Sequence, residues 1–479
     1  MNAGVILAIG LALLVPLALS LLYRDGSWMS FLLPAVAMFS IGAVGIRVSR
    51  PKGRAPEYVS NRDVYLSVTL AWTLAALLGG TPFLVEGTFH SLLDSSFEAM
   101  SGFTTTGATL LSNIEAETPS ILFWRSMTHW LGGIGIVVLF VAVAPLLGVG
   151  AARLIGAEMS GLTQPRLTPR IADTAKALIV IYVSITLAEI VALLLTGMPL
   201  YDAVVNTFGT VATGGFSHKT ASVGFYDSLA VEAIIAFFMV TSGVSFSLYY
   251  LLYTRRTLSV LLDRELLAYL GIIVSASLFI WLILAVEGDY GASWGRALRD
   301  SAFAVSSVIT TTGFVTADFD QWDTAAKITL VLLMFVGGCA GSTAGGIKVI
   351  RILIVFHTIL QDVFRMIHPR AVTPLQVGGR VVPETVRIAV LGLFAAWIGV
   401  FGIATFMVAL QENLTPLSSA TAVAATLNDV GPGLAQVGAT ESFEIVDPLG
   451  RFVLTVCMLL GRLEIFTVLA LLSPAFWRR

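Results

Sequence analysis

The sequence predicts an all-α membrane protein of about ten transmembrane helices, in which four helix–re-entrant pore helix–helix repeats surround a pseudo-fourfold central pore. Two extra helices precede the first repeat. Three observations support this prediction. Of the 479 residues, 56% are apolar and 12% are charged, whereas an ordinary soluble domain has roughly 25% charged residues. Apolar runs long enough to cross a bilayer recur along the chain, and a short Thr-Gly element returns in each quarter of the molecule.

Ten apolar runs have about the 20 residues that a helix needs to cross roughly 30 Å of hydrocarbon. They lie near residues 3–22, 29–48, 64–87, 122–147, 176–198, 230–253, 266–287, 326–360, 385–410 and 451–473. The first run lacks a basic n-region and a small-residue cleavage site, so we interpret it as a retained helix. Cys339 and Cys457 both lie within predicted spans and provide no disulfide framework.

The runs divide the chain into a two-helix N-terminal extension and four repeats. Each repeat consists of a span, a short segment, a glycine and a second span. The predicted units are 1–60, the extension; 61–150, repeat 1; 151–260, repeat 2; 261–380, repeat 3, with a broken second helix and an intramembrane glycine loop; and 381–479, repeat 4.

The distribution of charge orients the spans. Most of the 28 lysines and arginines fall around 47–63, 151–176, 254–265 and 348–387 and at the C-terminus. The alternate loops are acidic and contain "NIEAE", "EGDY", "TADFDQWD" and "ESFEIVD". Because basic loops stay on the cytoplasmic side, we expect both termini in the cytoplasm, and ten crossings have the required parity.

The element occurs in four copies, of which three contain Thr-Gly and the fourth has Val-Gly in the same place. They are "TTTGA" at 104–108, "VATGG" at 211–215, "TTTGF" at 310–314 and "NDVGPG" at 428–433. Their alignment predicts one glycine register on the acidic side of the membrane, formed by Gly107, Gly214, Gly313 and Gly431. A single Thr-Gly pair in a membrane helix more often serves packing, but four copies in register indicate a shared role.

A short helical segment precedes each glycine. Asp94, Asp202 and Asp300 stand 13, 12 and 13 residues before theirs, where a short polar side chain caps a helix N-terminus. In the fourth copy we expect Thr415 as the cap, followed by Pro416 at the first helical position. About a dozen residues are too few to cross a bilayer, so each segment is predicted to be re-entrant.

Four re-entrant tips are expected to meet around a pore, because non-helical backbone at membrane depth must be buried in protein or line an aqueous cavity. Carbonyl oxygens turned to the axis at each glycine can replace the hydration shell of a monovalent cation. The pore helices add C-terminal partial negative charge below the tips. The predicted ion-binding residues are Thr105, Thr106, Gly107, Ala212, Thr213, Gly214, Thr311, Thr312, Gly313, Asp429, Val430 and Gly431.

The apolar run at 326–360 is far longer than a bilayer requires, and it contains "VGGCAGSTAGG". We predict a helix that is broken in mid-membrane by a flexible loop facing the aqueous cavity. Arg462, about mid-span in the last helix, either makes a buried contact with Glu464 or with backbone that holds helices together, or forms a positive barrier on the cation path. The predicted gate residues are Gly337, Gly338, Gly341, Ser342, Thr343, Gly345, Gly346, Lys348 and Arg462.

Three further ionisable residues carry weaker predictions. We interpret His129 as a hydrogen-bonded packing residue rather than a metal ligand, because no second His or Cys lies at ligand spacing. Glu189, inside a span, is a candidate for a proton relay, although one carboxylate gives little support for proton coupling. Asp429 either raises cation affinity at the mouth or caps a turn.

Five motifs resemble the signatures of the Trk/Ktr/HKT superfamily of bacterial and plant potassium transporters. They are "SGFTTTGAT" (101–109), "THWLGGIGIV" (128–137), "GGCAGSTAGGIKVIR" (337–351), "NDVGPG" (428–433) and "GRLEIFTVL" (461–469). Together they cover all four repeats, and the two extra N-terminal helices make the chain similar to the TrkH branch more than to the KtrB branch. The resemblance implies K+ at the filter residues named above and places Arg462 beneath them.

The resemblance also implies a biological setting. It predicts a multi-pass homodimer in the cytoplasmic (inner) membrane of a bacterium, surrounded by lipid. K+ and Rb+ are the expected ions, and a cytosolic ring of nucleotide-binding TrkA-like subunits is the expected regulator; no cofactor and no nucleic acid is expected. The segment 361–383 is either the docking surface for that ring or a lipid-facing linker. All four copies have glycine at the key position, and in this they resemble the K+-selective members of the superfamily. Asp429 stands where the superfamily more usually has Asn.

The leading functional prediction is therefore gated K+ uptake, either channel-like or coupled to H+ or Na+, with a Na+-permeable pore as an alternative. A membrane-embedded enzyme would need a nucleophile and base, or a metal set, within one layer. No His, Asp or Cys pairing accompanies the abundant Ser and Thr, so no enzymatic activity is expected. A purely structural or receptor subunit would be recognised by its tolerance of Gly107→Ser or Gly313→Ser, which should alter ion flux in a pore.

Overall fold

The computed structural model describes residues 2–48, 61–143, 171–255, 257–287, 290–291, 293–371 and 374–478. Within these ranges the regular structure is helical apart from one hairpin of two short strands, β1 (Gln376–Val377) and β2 (Arg380–Val381). The predicted all-α membrane fold is therefore confirmed. Most of the basic segments 47–63 and 151–176, and the predicted unit boundaries at 60 and 150, lie outside the described residues.

The helices form an N-terminal extension and four repeats of one design. The extension contains α1 (Asn2–Ala12), α2 (Leu14–Tyr23) and α3 (Trp28–Val48). Repeat 1 contains α4 (Asn61–Gly79), α5 (Thr81–Glu86), α6 (Leu92–Phe103) and α7 (Pro119–Val143). Repeat 2 contains α8 (Ile171–Leu195), α9 (Leu200–Val211), α10 (Leu229–Ser242) and α11 (Phe246–Arg255). Repeat 3 contains α12 (Arg264–Glu287), α13 (Trp294–Ile309), α14 (Thr324–Val336) and α15 (Val349–Ile367). Repeat 4 contains α16 (Glu384–Val408), α17 (Pro416–Leu427), α18 (Pro448–Arg462), α19 (Ile465–Leu472) and α20 (Pro474–Trp477).

Long helices in the described residues supply the membrane crossings. Six unbroken apolar spans are present, formed by α1 with α2, α3, α4 with α5, α8, α12 and α16, and the bent pairs α10–α11 and α18–α19 raise the number to as many as eight. The 25-residue helix α7 and the interrupted pair α14–α15 complete the predicted set. The ten apolar runs of the sequence thus correspond to helices of the structure.

The pore helices α6, α9, α13 and α17 are short. They contain 12, 12, 16 and 12 residues, or roughly 18–24 Å at 1.5 Å per residue, which is too short to cross the hydrocarbon. Each lies between the first and second helix of its repeat. The predicted re-entrant element is therefore present in every repeat.

The N-terminal caps of three pore helices differ from the prediction. The cap residues are Ser91, Pro199 and Ser293 rather than Asp94, Asp202 and Asp300. Asp94 and Asp202 lie at the third helical position, where a carboxylate also favours the positive end of the helix dipole, and Asp300 lies further along its longer helix. In the fourth repeat Thr415 is the cap, and its hydroxyl accepts the N–H of Ser418.

The second helix is broken in three of the repeats. α10 and α11 meet at 86°, α18 and α19 meet at 116°, and residues 337–348 separate α14 from α15. The glycines predict the last of these breaks, but the prediction of continuous spans at 230–253 and 451–473 is wrong. At the α10–α11 bend the Gly243 carbonyl accepts the Cys339 N–H at 2.9 Å, and the Phe246 N–H donates to Gly341 at 3.0 Å. The glycine loop thus satisfies backbone groups that a continuous helix would pair internally.

The four repeats close into a ring. Each second helix packs against the pore helix of the next repeat, α7 against α9, α10 against α13, α14 against α17, and α18 against α6. The last contact joins repeat 4 to repeat 1 and includes an ion pair of 2.6 Å between Arg451 and Asp94. This cyclic order is the pseudo-fourfold arrangement that the sequence predicts.

A polar cluster fixes the extension to repeat 1. The Asp25 carboxylate accepts the Ser120 hydroxyl at 2.6 Å and the Ser27 N–H at 3.1 Å, and it also bonds Ser20. The Ser27 hydroxyl donates to Glu86 at 2.8 Å. Burial acts to raise the pKa of Asp25, but these hydrogen bonds outweigh burial and hold its pKa below the usual value. The loop after α2 is therefore attached to α5 and to the start of α7.

Candidate functional site

At the inner end of each pore helix the chain turns back through a residue in the left-handed conformation. These residues are Thr105, Thr213, Thr311 and Asp429, with φ of 57°, 56°, 56° and 54°. The residue after each of them donates its N–H to the carbonyl five positions earlier, as Thr106 does to Ser101 at 2.9 Å. All four tips therefore end in the same Schellman-type turn.

This turn corrects the predicted register of the second copy. The glycine that follows the turn at positive φ is Gly107, Gly215, Gly313 or Gly431. Gly214 instead occupies the position of Thr106, because its N–H makes the equivalent bond to Gly209 at 2.8 Å. Ala212, predicted as an ion-binding residue, is the C-terminal cap of α9. The second copy of the element is therefore Thr213-Gly214-Gly215.

The four glycines contact the neighbouring repeats in a closed cycle. A Cβ atom added to Gly107 would overlap the Gly214 carbonyl oxygen, one added to Gly215 would overlap that of Thr312, and one added to Gly313 would overlap that of Val430. The cycle closes at Gly431, where an added Cβ would lie 2.9 Å from the Thr106 carbonyl oxygen. We call the four carbonyls of Thr106, Gly214, Thr312 and Val430 the carbonyl ring.

The carbonyl ring has the chemistry of a site for a dehydrated monovalent cation. Backbone oxygens can replace the hydration shell of such an ion, and the C-terminal ends of four pore helices each add roughly half a negative charge on the inner side. A side chain at any of the four glycines would displace a neighbouring carbonyl or strain the backbone. Of the twelve residues that the sequence predicts, the structure brings together all except Ala212, and it adds Gly215.

His129 supports the carbonyl ring from behind. Its Nδ1 lies 2.7 Å from the Gly102 carbonyl oxygen, and its Nε2 accepts the Phe216 N–H at 3.1 Å, so these contacts assign the ring proton to Nδ1. The imidazole also leaves no room for a side chain on Gly214. The packing role predicted for His129 is confirmed, and the described residues contain no His, Cys, Asp and Glu group that could hold a metal ion.

A buried ion pair supports the outer side of copies 1 and 2. Arg125 Nε donates to Glu98 at 2.6 Å, and both side chains are at most 2% exposed. Arg125 Nη1 also donates to the Ser217 carbonyl at 2.8 Å, and Glu98 accepts the Leu110 N–H at 3.0 Å. Sequence reasoning missed this pair, although one carboxylate in a pore helix and one arginine in the next span are the signal that would have indicated it.

A vestibule of about 130 Å³ lies outside the carbonyl ring and is lined by all four ring glycines. Hydrogen bonds between repeats hold its rim: Glu115 accepts the Thr220 N–H at 3.0 Å, and Asp320 accepts the Ala435 N–H at 2.9 Å. Burial raises the pKa of Asp320. At Glu115 burial acts in the same direction, but hydrogen bonds from Thr220 lower the pKa below its usual value. Glu115 is therefore a carboxylate at neutral pH, and its charge favours cations at the mouth.

The glycine loop, residues 337–348, covers the inner side of the carbonyl ring. The Gly345 N–H donates to Thr311 Oγ1 at 2.6 Å, and Thr343 Oγ1 donates to the Val211 carbonyl at 3.1 Å. A Cβ on Gly345 would overlap the Asn428 carbonyl oxygen. The loop thus touches the tips of copies 2, 3 and 4.

Two cationic side chains hold the glycine loop in place. Lys348 donates from Nζ to the carbonyls of Ala344 and Gly345. Arg462, which is 5% exposed, donates from Nη1 to the Thr343 carbonyl at 2.8 Å. Its position corrects the prediction of a mid-span residue, because Arg462 ends α18 at the bend.

The packing alternative for Arg462 is only partly wrong, because the contact with Glu464 does not form but a contact with backbone does, at the Thr343 carbonyl. Glu464 pairs instead with Arg351 at 2.7 Å and so ties the start of α15 to the bend between α18 and α19. Arg462 Nε and Nη2 have no hydrogen-bond partner in the described part of the chain. Arg462 is therefore directed at the glycine loop, on the inner side of the carbonyl ring.

Asp429 joins the fourth copy to the first. Its Oδ1 accepts the Thr106 Oγ1 hydrogen at 2.9 Å, so it does not cap a turn of its own copy. Its Oδ2 is buried and finds no hydrogen-bond partner among the residues that the structure describes. Glu189 is also fully buried, in α8, and remains only a candidate for a relay.

The chain is similar to characterised families over nearly its whole length. A family model described as TrkH, cation transport protein, matches residues 35–479. The Trk system potassium uptake protein TrkH of Salmonella typhimurium is 39% identical over 469 residues, which are 97% of this chain and 96% of that protein. The protein of the same name from Halomonas elongata is 40% identical over 479 residues, 98% of this chain and 96% of that protein.

A solved structure shares the fold. The crystal structure of the potassium transporter TrkH from Vibrio parahaemolyticus matches with a TM-score of 0.90 at 38% sequence identity, and the match covers 99% of this chain and 98% of that one. The resemblance carried by the five sequence motifs is thereby confirmed across the extension and all four repeats.

Proposed function

Because this chain belongs to the TrkH family of cation transport proteins, we propose that it takes up K+ through the carbonyl ring, under the control of the glycine loop and Arg462. The relatives compared above are named as potassium uptake proteins, and the chain is accordingly a transport protein and not an enzyme. Each part of the proposal has its own support in the geometry.

The closed cycle of glycine-to-carbonyl contacts carries the proposal. Each ring glycine contacts a backbone carbonyl of a neighbouring repeat. One chain therefore completes the ring, and the ring consists of neutral carbonyl oxygens. Such a ring suits K+ and Rb+, whose hydration shells are replaced by several carbonyl dipoles. A Na+-permeable ring is the alternative, and it differs in selectivity rather than in architecture.

The position of the glycine loop supports a gate on the inner side of the filter. Gly345 contacts the Thr311 hydroxyl at 2.6 Å, and the Arg462 guanidinium is anchored on the same loop. A fixed positive charge beneath a cation filter opposes the passage of a second cation. Conduction therefore requires the loop and Arg462 to move aside.

The proposed assembly is a homodimer in the cytoplasmic (inner) membrane of a bacterium, with both termini in the cytoplasm and a TrkA-like nucleotide-binding ring on the cytosolic side. The segment 361–383 suits the docking of that ring, because it contains the end of α15 and the β1–β2 hairpin. A chain of contacts from this segment to the gate exists, since α15 begins directly after the glycine loop and Arg351 pairs with Glu464.

Uptake of radioactive Rb+ into proteoliposomes tests the proposal. The full chain should take up Rb+, with and without the cytosolic ring, and K+ should compete with Rb+ better than Na+ or Li+ does. Gly313→Ser should change this competition if the ring selects the ion. Absence of Rb+ flux under all these conditions would remove the proposed function.

Current measurements separate the two transport modes. A channel-like path gives a current that reverses at the K+ equilibrium potential whatever the imposed pH or Na+ gradient. A reversal potential that moves with either gradient would instead establish coupling to that ion.

A further inference from the structure

The innermost layer of the filter lies one residue before the carbonyl ring. The chain turns back after each pore helix, so Thr105, Thr213, Thr311 and Asp429, at the turn itself, lie deeper than the ring. All four are 0% exposed. Three hydroxyls and one carboxylate thus stand at equivalent positions of the backbone, with one member from each repeat.

Two of these four side chains have an oxygen with no hydrogen-bond partner in the described residues, Thr105 Oγ1 and Asp429 Oδ2. Thr213 Oγ1 donates to its neighbour's carbonyl at 2.6 Å and keeps its lone pairs. A buried carboxylate oxygen without a donor costs several kcal/mol unless a cation or another donor reaches it. The layer therefore presents oxygens that a hard cation is able to use.

The glycine loop already occupies part of this layer. The Gly345 N–H donates to Thr311 Oγ1, which is the bond that a cation at the layer would replace. A Cβ atom added to Gly345 would lie 2.9 Å from the Cβ of Asp429, so the loop also lies close to Asp429. Arg462 donates to the loop residue Thr343, and two nitrogens of its guanidinium have no hydrogen-bond partner among the residues that the structure describes.

We propose that Thr105, Thr213, Thr311 and Asp429 form an inner cation site, in which the Asp429 carboxylate is the charged ligand and for which the glycine loop and Arg462 compete with the ion. This inference rests on the proposed function and deepens it. At the turn itself the fourth copy differs from the others in its side chain and not in its backbone, because the φ of Asp429 matches that of the three threonines. The carboxylate thus adds charge to the layer without altering the backbone of the carbonyl ring.

The carboxylate has a consequence for divalent cations. A divalent ion of nearly the size of K+, such as Ba2+, gains twice the Coulomb attraction of K+ at a site that holds one negative charge. We therefore expect Ba2+ to inhibit Rb+ flux by residing at the inner layer. Removal of the tethered guanidinium in Arg462→Ala should strengthen that inhibition, because the competitor is gone.

Rb+ flux into proteoliposomes with Ba2+ on both sides tests the site. Asp429→Asn should raise the half-inhibitory Ba2+ concentration about tenfold or more, whereas Asp429→Glu, which keeps the charge, should change it by less than about threefold. Glu412→Gln, which removes an exposed carboxylate that does not line the vestibule, is the matched control and should leave Ba2+ inhibition as in the parent chain. Equal Ba2+ sensitivity of the parent chain and Asp429→Asn would overturn the proposal.

A binding measurement keeps the inference separate from the proposed function. Ba2+ should raise the thermal unfolding temperature of the purified full chain in detergent, and Asp429→Asn should lose that increase while Glu412→Gln retains it. A stabilisation by Ba2+ that persists in Asp429→Asn contradicts the inner site even if Rb+ transport is normal. Conversely, loss of Rb+ flux in the parent chain would contradict the transport proposal and leave the Ba2+ measurement interpretable.

Discussion

Each pore helix ends in a strained residue, and a ring glycine stands two positions later. Threonine or aspartate at φ near 55° costs roughly 1–3 kcal/mol, and the glycine that follows has a neighbouring carbonyl where its side chain would stand. The Schellman-type bonds on one side and the carbonyl ring on the other keep the strained residue in place. The geometry of the ring is consequently a property of the backbone, and side chains at the tip vary its charge.

Substitution of the ring glycines should have graded effects. At Gly313 an added Cβ overlaps the Val430 carbonyl oxygen, whereas at Gly431 it would lie 2.9 Å from that of Thr106. We expect Gly313→Ala to reduce Rb+ flux or its discrimination against Na+ by about tenfold or more, corresponding to roughly 1.4 kcal/mol, and Gly431→Ala to have the smaller effect. Rb+ uptake with Na+ competition measures both quantities.

Gly399→Ala is the control for that series, because an added Cβ in α16 meets no atom within 4 Å. It should leave uptake and competition unchanged. The ring geometry described above would be contradicted if Gly431→Ala proved as damaging as Gly313→Ala.

At this scale the sequence predicts the composition of the filter but not its register in every copy. "VATGG" offers two adjacent glycines, and only the backbone bond from Gly214 to Gly209 decides which of them follows the turn. The helix caps are ambiguous in a similar way. Asp94 is favourable both at the cap and at the third helical position, so its distance from the glycine does not distinguish the two.

At the scale of elements, the glycine loop lies between α14 and α15 but makes hydrogen bonds to other elements of repeats 2 and 3. It pairs with the ends of α10 and α11 through Gly243 and Phe246, and with the third tip through Thr311. A movement of the loop must therefore break bonds to two repeats at once. We therefore expect the loop and the α10–α11 bend to move together.

Loosening the glycine loop should open the path. Thr311→Val keeps the branched shape but removes the acceptor for the Gly345 N–H, a bond worth about 1 kcal/mol, so basal Rb+ flux should rise about fivefold. Arg462→Ala removes both a charged hydrogen bond and the positive charge, and we expect a larger increase. The initial rate of Rb+ uptake without the cytosolic ring is the measurement.

Thr455→Val is the control for the gate prediction, because among the described residues the Thr455 hydroxyl bonds only to the Arg451 carbonyl, within α18. It should leave the basal rate unchanged. Unchanged or lower flux in correctly folded Thr311→Val and Arg462→Ala would be evidence against a gate at the loop.

The sequence predicts the break in repeat 3 because glycines dominate it, and it fails to predict the bends in repeats 2 and 4. Those bends contain no proline. They depend on partners that are remote in sequence, Gly341 for Phe246 and Arg351 for Glu464. An apolar run by itself therefore looks continuous at both places.

At the scale of the whole molecule, the extension lies outside the ring but is bonded to it. Asp25 links the loop after α2 to Ser120 at the start of α7, and Ser27 links the same loop to Glu86. The extension thus holds the outer end of repeat 1 without contributing to the carbonyl ring.

Asp25→Asn should weaken this attachment. Both oxygens of the Asp25 carboxylate accept hydrogen bonds, whereas the asparagine side chain has only one acceptor oxygen. Hydrogen bonds to a charged group contribute about 1–3 kcal/mol, so the thermal unfolding temperature in detergent at pH 7 should fall. Because the pKa of Asp25 is lowered, its contribution is complete above the ordinary aspartate pKa of about 4 and is lost as the pH falls through the lower folded value. The difference between the two chains should be constant from about pH 7 to 5 and shrink below about pH 4.

The exposed carboxylate control Glu412→Gln should leave the unfolding temperature unchanged over the same pH range. A difference between Asp25→Asn and the parent chain that grows on acidification would show that the carboxylate does not act through these hydrogen bonds.

The contact between α18 and α6 joins the last repeat to be synthesised to the first. Arg451 reaches Asp94 across 357 residues of sequence, and the Phe443 N–H meets the Thr109 carbonyl at 2.8 Å. The first pore helix therefore leaves the ribosome long before the helix that completes its wall. Until translation ends, its polar groups must be sheltered by the insertion machinery or by lipid headgroups. A nascent chain that stalls before α18 carries an open ring, and this exposes it to membrane proteases.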